Sequence, residues 1–96
     1  MSKGYWISTY SEIRDPDKIA AYAKLASPAI IAGGGRFLAR GVPVKVYEKG
    51  VMSRTVLIEF ESVEQAIETH EGPGYQDALA VLGDAADREI RIIEGL

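Results

Sequence analysis

Glu59 and His70 are the residues of this chain best suited to moving a proton. Glu59 lies in Thr55-Val56-Leu57-Ile58-Glu59-Phe60, where it alternates with Val56, Ile58 and Phe60. On a strand it therefore projects from the face opposite those three, and if they meet helices, Glu59 points into a space enclosed by a second sheet. A carboxylate there must pair with a cation or hold its proton more tightly. Arg40, at the end of Phe37-Leu38-Ala39-Arg40-Gly41, is the natural partner, and alternation puts it on one face with Leu38. Two readings follow: a cavity in which Arg40 holds an anionic small molecule while Glu59 exchanges a proton, or a salt bridge that fixes strand register or a dimer contact. His70, the single histidine, is a candidate base near neutral pH. It equally suits a polar residue favoured by the negative end of a helix. Trp6, Ser8 and Tyr10 share one strand face, and Tyr75 can approach them from a later helix. Aromatic walls with a few polar groups make a ligand pocket, or the packed core of a dimer. The candidates are thus Glu59 and His70 for catalysis, and Arg40, Trp6, Ser8, Tyr10 and Tyr75 for ligand binding.

Other chemistries are poorly served. With no cysteine and one histidine, no metal site is expected, and Asp84, Asp87 and Glu89 lack the spacing of a calcium loop. No cofactor is expected either. Gly33-Gly34-Gly35 lacks the Gly-x-Gly-x-x-Gly pattern, and it follows a helix, whose C-terminal end repels phosphate. No Gly-x-Ser-x-Gly motif is present. The net charge is −3 and the eleven basic residues are scattered, which disfavours nucleic acid and anionic membrane as partners. Arg54 and Arg88 flank strands and read as solvated or rim charges.

These side chains must be positioned by short elements. Residues 4–10 are aromatic and β-branched, and read as a first strand. Asp15-Pro16 starts a helix carrying Ile19, Ala23, Ala26 and Ile30, with a kink or restart expected at Pro28. The glycines end it, one of them in the left-handed conformation. Residues 36–40 form a short strand, and Val44 to Glu48 read as its extension or hairpin partner. Thr55 to Phe60 is the clearest central strand. Ser62-Val63-Glu64-Gln65 is a capping box opening a second helix, which Gly72-Pro73-Gly74 interrupts. Glu89 to Glu94 is the last strand.

The order β-α-β-β-α-β is the split βαβ, ferredoxin-like pattern, an α+β fold with an antiparallel sheet. Ninety-six residues suit a single domain spanning 1–96. One sheet face stays apolar beyond the helices, and a second copy packed face to face would cover it. No signal peptide or membrane span is visible, and the lack of cysteine fits a reducing cytoplasm.

Gly33-Gly34-Gly35-Arg36-Phe37-Leu38-Ala39-Arg40-Gly41, with Gly4-Tyr5-Trp6-Ile7 and Ile92-Ile93-Glu94-Gly95, resembles the DUF1330 family across almost the whole chain. The resemblance implies a ferredoxin-like domain that pairs as a dimeric α/β barrel. It also implies an aromatic residue, usually tyrosine, where this chain has His70. Relatives of that barrel include monooxygenases and isomerases acting on small organic molecules. Two functions follow as expectations: a small-molecule protein, with or without cofactor-independent catalysis, or a binding or regulatory homodimer whose polar sheet residues serve assembly.

Overall fold

The alternation in Gly4–Ile13 is realised as β1, the longest strand, in a computed structural model that describes residues 2–96. Gly4, Trp6, Ser8 and Tyr10 are buried, while the residues between them are only half-buried. Asp15 caps α1 (Pro16–Ala32), its carboxylate accepting from the Lys18 amide at 3.2 Å. Pro16 at the first helical position lacks the N–H that would otherwise need a partner. The helix runs through Pro28 to Ala32 as one element, so the alternative of a restart at Pro28 is not realised. Pro28 lies on the exposed side of α1, where water can reach the carbonyl left unpaired by the missing N–H.

Gly34 takes φ 95°, the left-handed turn that reverses the chain into β2 (Arg36–Gly41). β3 (Thr55–Phe60) follows a long connection of residues 42–54. Val44 to Glu48 lie in that connection and form no strand. Pro43 lacks a ladder donor, and Val44 and Tyr47 are exposed, so no neighbour supplies the pairing that their β-propensity invites. The capping box opens α2 (Val63–Glu71): Ser62 Oγ accepts from the Gln65 amide at 3.1 Å, and Gln65 Oε1 reaches back to the Glu61 amide at 3.1 Å. Gly72 separates α2 from α3 (Pro73–Leu82), which again begins on proline. β4 (Ala86–Glu94) completes the sheet, in spatial order β2-β3-β1-β4 with every pair antiparallel.

All three helices lie on one face. Trp6, Ile58, Phe60 and Tyr75 are the largest fully enclosed side chains there. Each contributes roughly 1.5–3 kcal/mol by leaving water. The other face carries Tyr5, Ile7, Leu57, Glu59 and Ile93, none of them buried. No helix among the described residues is long and apolar enough to cross a membrane.

Candidate functional site

Register decides which candidates meet. Ser8 of β1 lies opposite Val56 and Trp6 opposite Ile58, so Trp6, Ser8 and Tyr10 face the helices. Tyr5 lies opposite Glu59, which puts Glu59 on the open face. The sheet therefore stands between Glu59 and the aromatic row, and the cavity assembled from both in the sequence reading is not formed.

Arg40 is re-aimed by a bulge. β2 pairs Phe37 with Ile58 but Ala39 with Leu57, leaving Leu38 as an extra residue. Arg40 then lies opposite Val56, on the helix side with Phe37, over whose ring its guanidinium carbon sits at 4.7 Å. It does not share a face with Leu38 in the way simple alternation predicts. The cation beside Glu59 is Arg36, at 3.0 Å, with Lys3 at 3.9 Å and the Tyr5 hydroxyl donating at 3.1 Å. Donation to Glu59, aided by burial, holds the Tyr5 phenol above its ordinary value. Arg36 and Glu59 are direct cross-strand partners, an arrangement that fixes register.

His70 packs against Trp6 and Tyr75, with ring centroids 5.3 and 4.9 Å away. Burial, and then the nearby Arg88 charge, hold its pKa below the usual 6.5, so the imidazole is neutral at pH 7. It does not line the cleft described next.

Arg40, Trp6, Ser8 and Tyr10 do converge, in a cleft between α1 and the sheet. Its enclosed part has a volume of about 30 Å³, room for about two water molecules. The opening exists because α1 presents Ala23, Ala26 and Ser27, rather than long side chains, above the sheet. Three arginines reach it. Arg40 comes from β2 and Arg88 from β4, three strands away and two residues along from its row. Arg54, just ahead of β3, accepts the Tyr10 amide on its carbonyl at 3.0 Å, so Arg54, Tyr10 and Arg88 form one row across the sheet.

The reading of Arg54 and Arg88 as rim charges is thereby corrected. Arg88 Nη1 donates to the hydroxyls of Tyr22 at 3.0 Å and Tyr10 at 3.3 Å, and Nη2 to that of Tyr75 at 3.0 Å. Burial opposes the guanidinium charge, but the oxygens of Tyr22, Tyr75 and Tyr10 outweigh it and raise the Arg88 pKa further. Tyr22 and Tyr75 hydroxyls lie 2.6 Å apart. Tyr75 is enclosed beneath this cluster rather than on the cleft wall, and burial above all lifts its phenol far above the ordinary range. The signal for both arginines was in the alternation. Arg54 precedes Val56 and Ile58 by even steps, as Arg88 precedes Ile90 and Ile92.

Two buried polar atoms lack any hydrogen-bond partner among the described residues: Ser8 Oγ and Arg54 Nε. Both residues line the cleft, and no carboxylate or imidazole lines it. No cluster of metal-binding side chains occurs among the described residues. The arrangement offers hydrogen-bond donors and positive charge to whatever enters.

A four-stranded antiparallel sheet with helices on one face and this strand order defines a ferredoxin-like α+β protein. The chain belongs to the DUF1330 family, a domain of unknown function, whose model matches residues 3–96. No curated protein matches it. Among solved structures, a protein of unknown function from Rhodopseudomonas palustris is similar at a TM-score of 0.76 and 16% identity, covering 99% of this chain and 83% of that one. A dimeric ferredoxin-like protein of unknown function from Thermobifida fusca matches at 0.67 and 18%, covering 96% and 90%. SnoaB, a cofactor-independent oxygenase from Streptomyces nogalater, matches at 0.66 and 11%, covering 97% and 92%. At these identities the likeness is one of fold.

Proposed function

We propose that this protein binds a small organic carboxylate in the cleft between α1 and the sheet. The observation that carries the reading is the pair of enclosed, unpartnered donors, Ser8 Oγ and Arg54 Nε, in a cleft ringed by Arg40, Arg54 and Arg88. A buried donor without a partner costs about 1–3 kcal/mol, which an incoming acceptor recovers. A carboxylate supplies two acceptor oxygens and the negative charge that three guanidinium groups favour. The enclosed volume admits little more than such a head group, so the rest of the ligand lies along the cleft mouth toward Arg40.

Catalysis on the bound acid is a further step that Glu59 and His70 do not serve, since one is across the sheet and the other outside the cleft wall. Cofactor-independent turnover, by analogy with SnoaB, would have to use the tyrosine hydroxyls. The non-catalytic binding reading therefore has the better support. We also propose a homodimer through the open face, where Ile7, Leu57 and Ile93 lie exposed or half-buried. The dimeric Thermobifida fusca neighbour supports that assembly. Native mass spectrometry tests it: a monomer at micromolar concentration would overturn it.

For the cleft, Trp6 fluorescence is titrated with butanoate and with butanamide, its neutral counterpart. Butanoate should bind and butanamide should not. Arg54→Met should weaken butanoate binding roughly 10- to 100-fold, the value of a charge-assisted hydrogen bond. Glu59→Gln, across the sheet, should leave it unchanged. Equal binding of the amide, or an unaffected Arg54→Met variant, refutes the assignment.

A further inference from the structure

The Tyr22–Tyr75 contact has a direction that the surrounding groups dictate. Tyr75 is 1% exposed, and among the described residues its hydroxyl meets only Tyr22 Oη and Arg88 Nη2. Arginine donates and never accepts, so the Tyr75 proton has one acceptor, the Tyr22 oxygen. A buried hydroxyl takes such a partner when one is available. Tyr22 Oη then accepts twice, from Tyr75 at 2.6 Å and from Arg88 at 3.0 Å, which fills both lone pairs. Its own proton finds no acceptor among the described residues. Tyr22 lines the cleft, whereas Tyr75 does not. Accepting two hydrogen bonds makes a hydroxyl a stronger donor through mutual polarisation.

We propose that Tyr22 is a specificity-determining donor that reads a second oxygen on the ligand, so that the preferred ligand is a 2-oxo acid rather than a simple carboxylic acid. This rests on the carboxylate reading above and deepens it. The carboxylate meets Arg54 and Ser8. The adjacent carbonyl oxygen, an acceptor without a proton, meets Tyr22. A 2-amino group in the same place would present N–H donors to a donor, and is rejected. Arg88 and Tyr75 act as positioning residues: they occupy the Tyr22 lone pairs and leave the hydroxyl only one way to serve a ligand, as a donor. Tyr22 acts in recognition alone, with no covalent step.

The test is isothermal titration calorimetry of the full chain at pH 7 with butanoate, 2-oxobutanoate and 2-aminobutanoate. The oxo acid should bind roughly five- to tenfold more tightly than butanoate, the value of one neutral hydrogen bond, and the amino acid more weakly than either. Tyr22→Phe should bring the two acids within about twofold of each other. Butanoate binding without an oxo preference overturns this proposal and leaves the carboxylate reading standing. Binding of none of the three acids overturns both. If Tyr22→Phe fails to fold, the wild-type structure with 2-oxobutanoate decides: an oxo oxygen beyond hydrogen-bond reach of Tyr22 Oη refutes the assignment.

Discussion

Replacing Arg88 with methionine removes the donor that three tyrosines share, and its effect can be sized from the contacts. The bonds to Tyr22 and Tyr75 are both 3.0 Å, and that to Tyr10 is 3.3 Å. Two well-formed bonds to a charged group contribute about 1.5–3 kcal/mol each. Against this, taking a partly buried guanidinium out of the interior relieves its desolvation. The two phenols also keep their mutual bond at 2.6 Å, so neither is left entirely unpartnered. Methionine fills much of the vacated stem volume. The net expectation is a loss of about 2–4 kcal/mol. For a domain of this size each kcal/mol moves the midpoint by about 4–8 °C, so Tm should fall by about 8–32 °C. Urea unfolding followed by Trp6 fluorescence gives the free energy, provided the slope m matches wild type. Arg88→Lys should fall between the two, since one ammonium cannot serve three phenols in a planar fork. A loss below about 1 kcal/mol at unchanged m would refute the reasoning. Arg88 would then be a mobile ligand-binding group rather than the brace of the tyrosine cluster.

His70 has a pKa held below 6.5 by burial and then by Arg88, so the unfolded chain takes up its proton first as pH falls. Stability should be fully present above pH 6.5 and decline as the pH drops through the folded value, with His70→Gln flattening that part of the profile. Tyr75 shows the opposite sense: its phenol is raised above 10.0, chiefly by burial, so its contribution is complete below pH 10 and is lost above it. Absorbance titration should find Tyr75 ionising only as the fold is lost. Gly34→Ala, at φ 95° and crowded by the Gln65 side chain, should cost about 1–2 kcal/mol in urea unfolding. Gly83, also at positive φ but where an added Cβ would meet only the Ala80 carbonyl oxygen at 4.0 Å, should tolerate alanine better than Gly34 does.

The element order was legible because local signals agreed. Asp15-Pro16 and Ser62 through Gln65 are self-contained caps, and Thr55 to Phe60 alternates cleanly. The faces of β1 and β3 were legible separately, as Trp6-Ser8-Tyr10 and Val56-Ile58-Phe60. What could not be read was that these two rows share a side, because that depends on pairing Ser8 with Val56 across the sheet. Glu59 was correctly placed away from the helices, but its cation was misassigned. The bulge at Leu38 turns Arg40 inward, and Arg36 lies directly across from Glu59. Arg88 was missed because a charged residue next to Asp87 and Glu89 looks solvated until three tyrosines, distant in sequence, are seen to surround it. Val44 to Glu48 were overread from composition, since propensity makes no strand without a neighbour.

The bulge in β2 also bears on how a gene for this fold can change length. In a regular strand, losing one codon turns every later side chain to the opposite face. Leu38 is supernumerary: Phe37 and Ala39 already pair with the consecutive residues Ile58 and Leu57. An in-frame deletion of Leu38 would straighten β2 while leaving Arg40 across from Val56. Position 38 is thus a place inside a strand where the reading frame of inside and outside survives a missing triplet. The same deletion at Ile58, where no spare residue exists, would turn the remainder of β3 inside out.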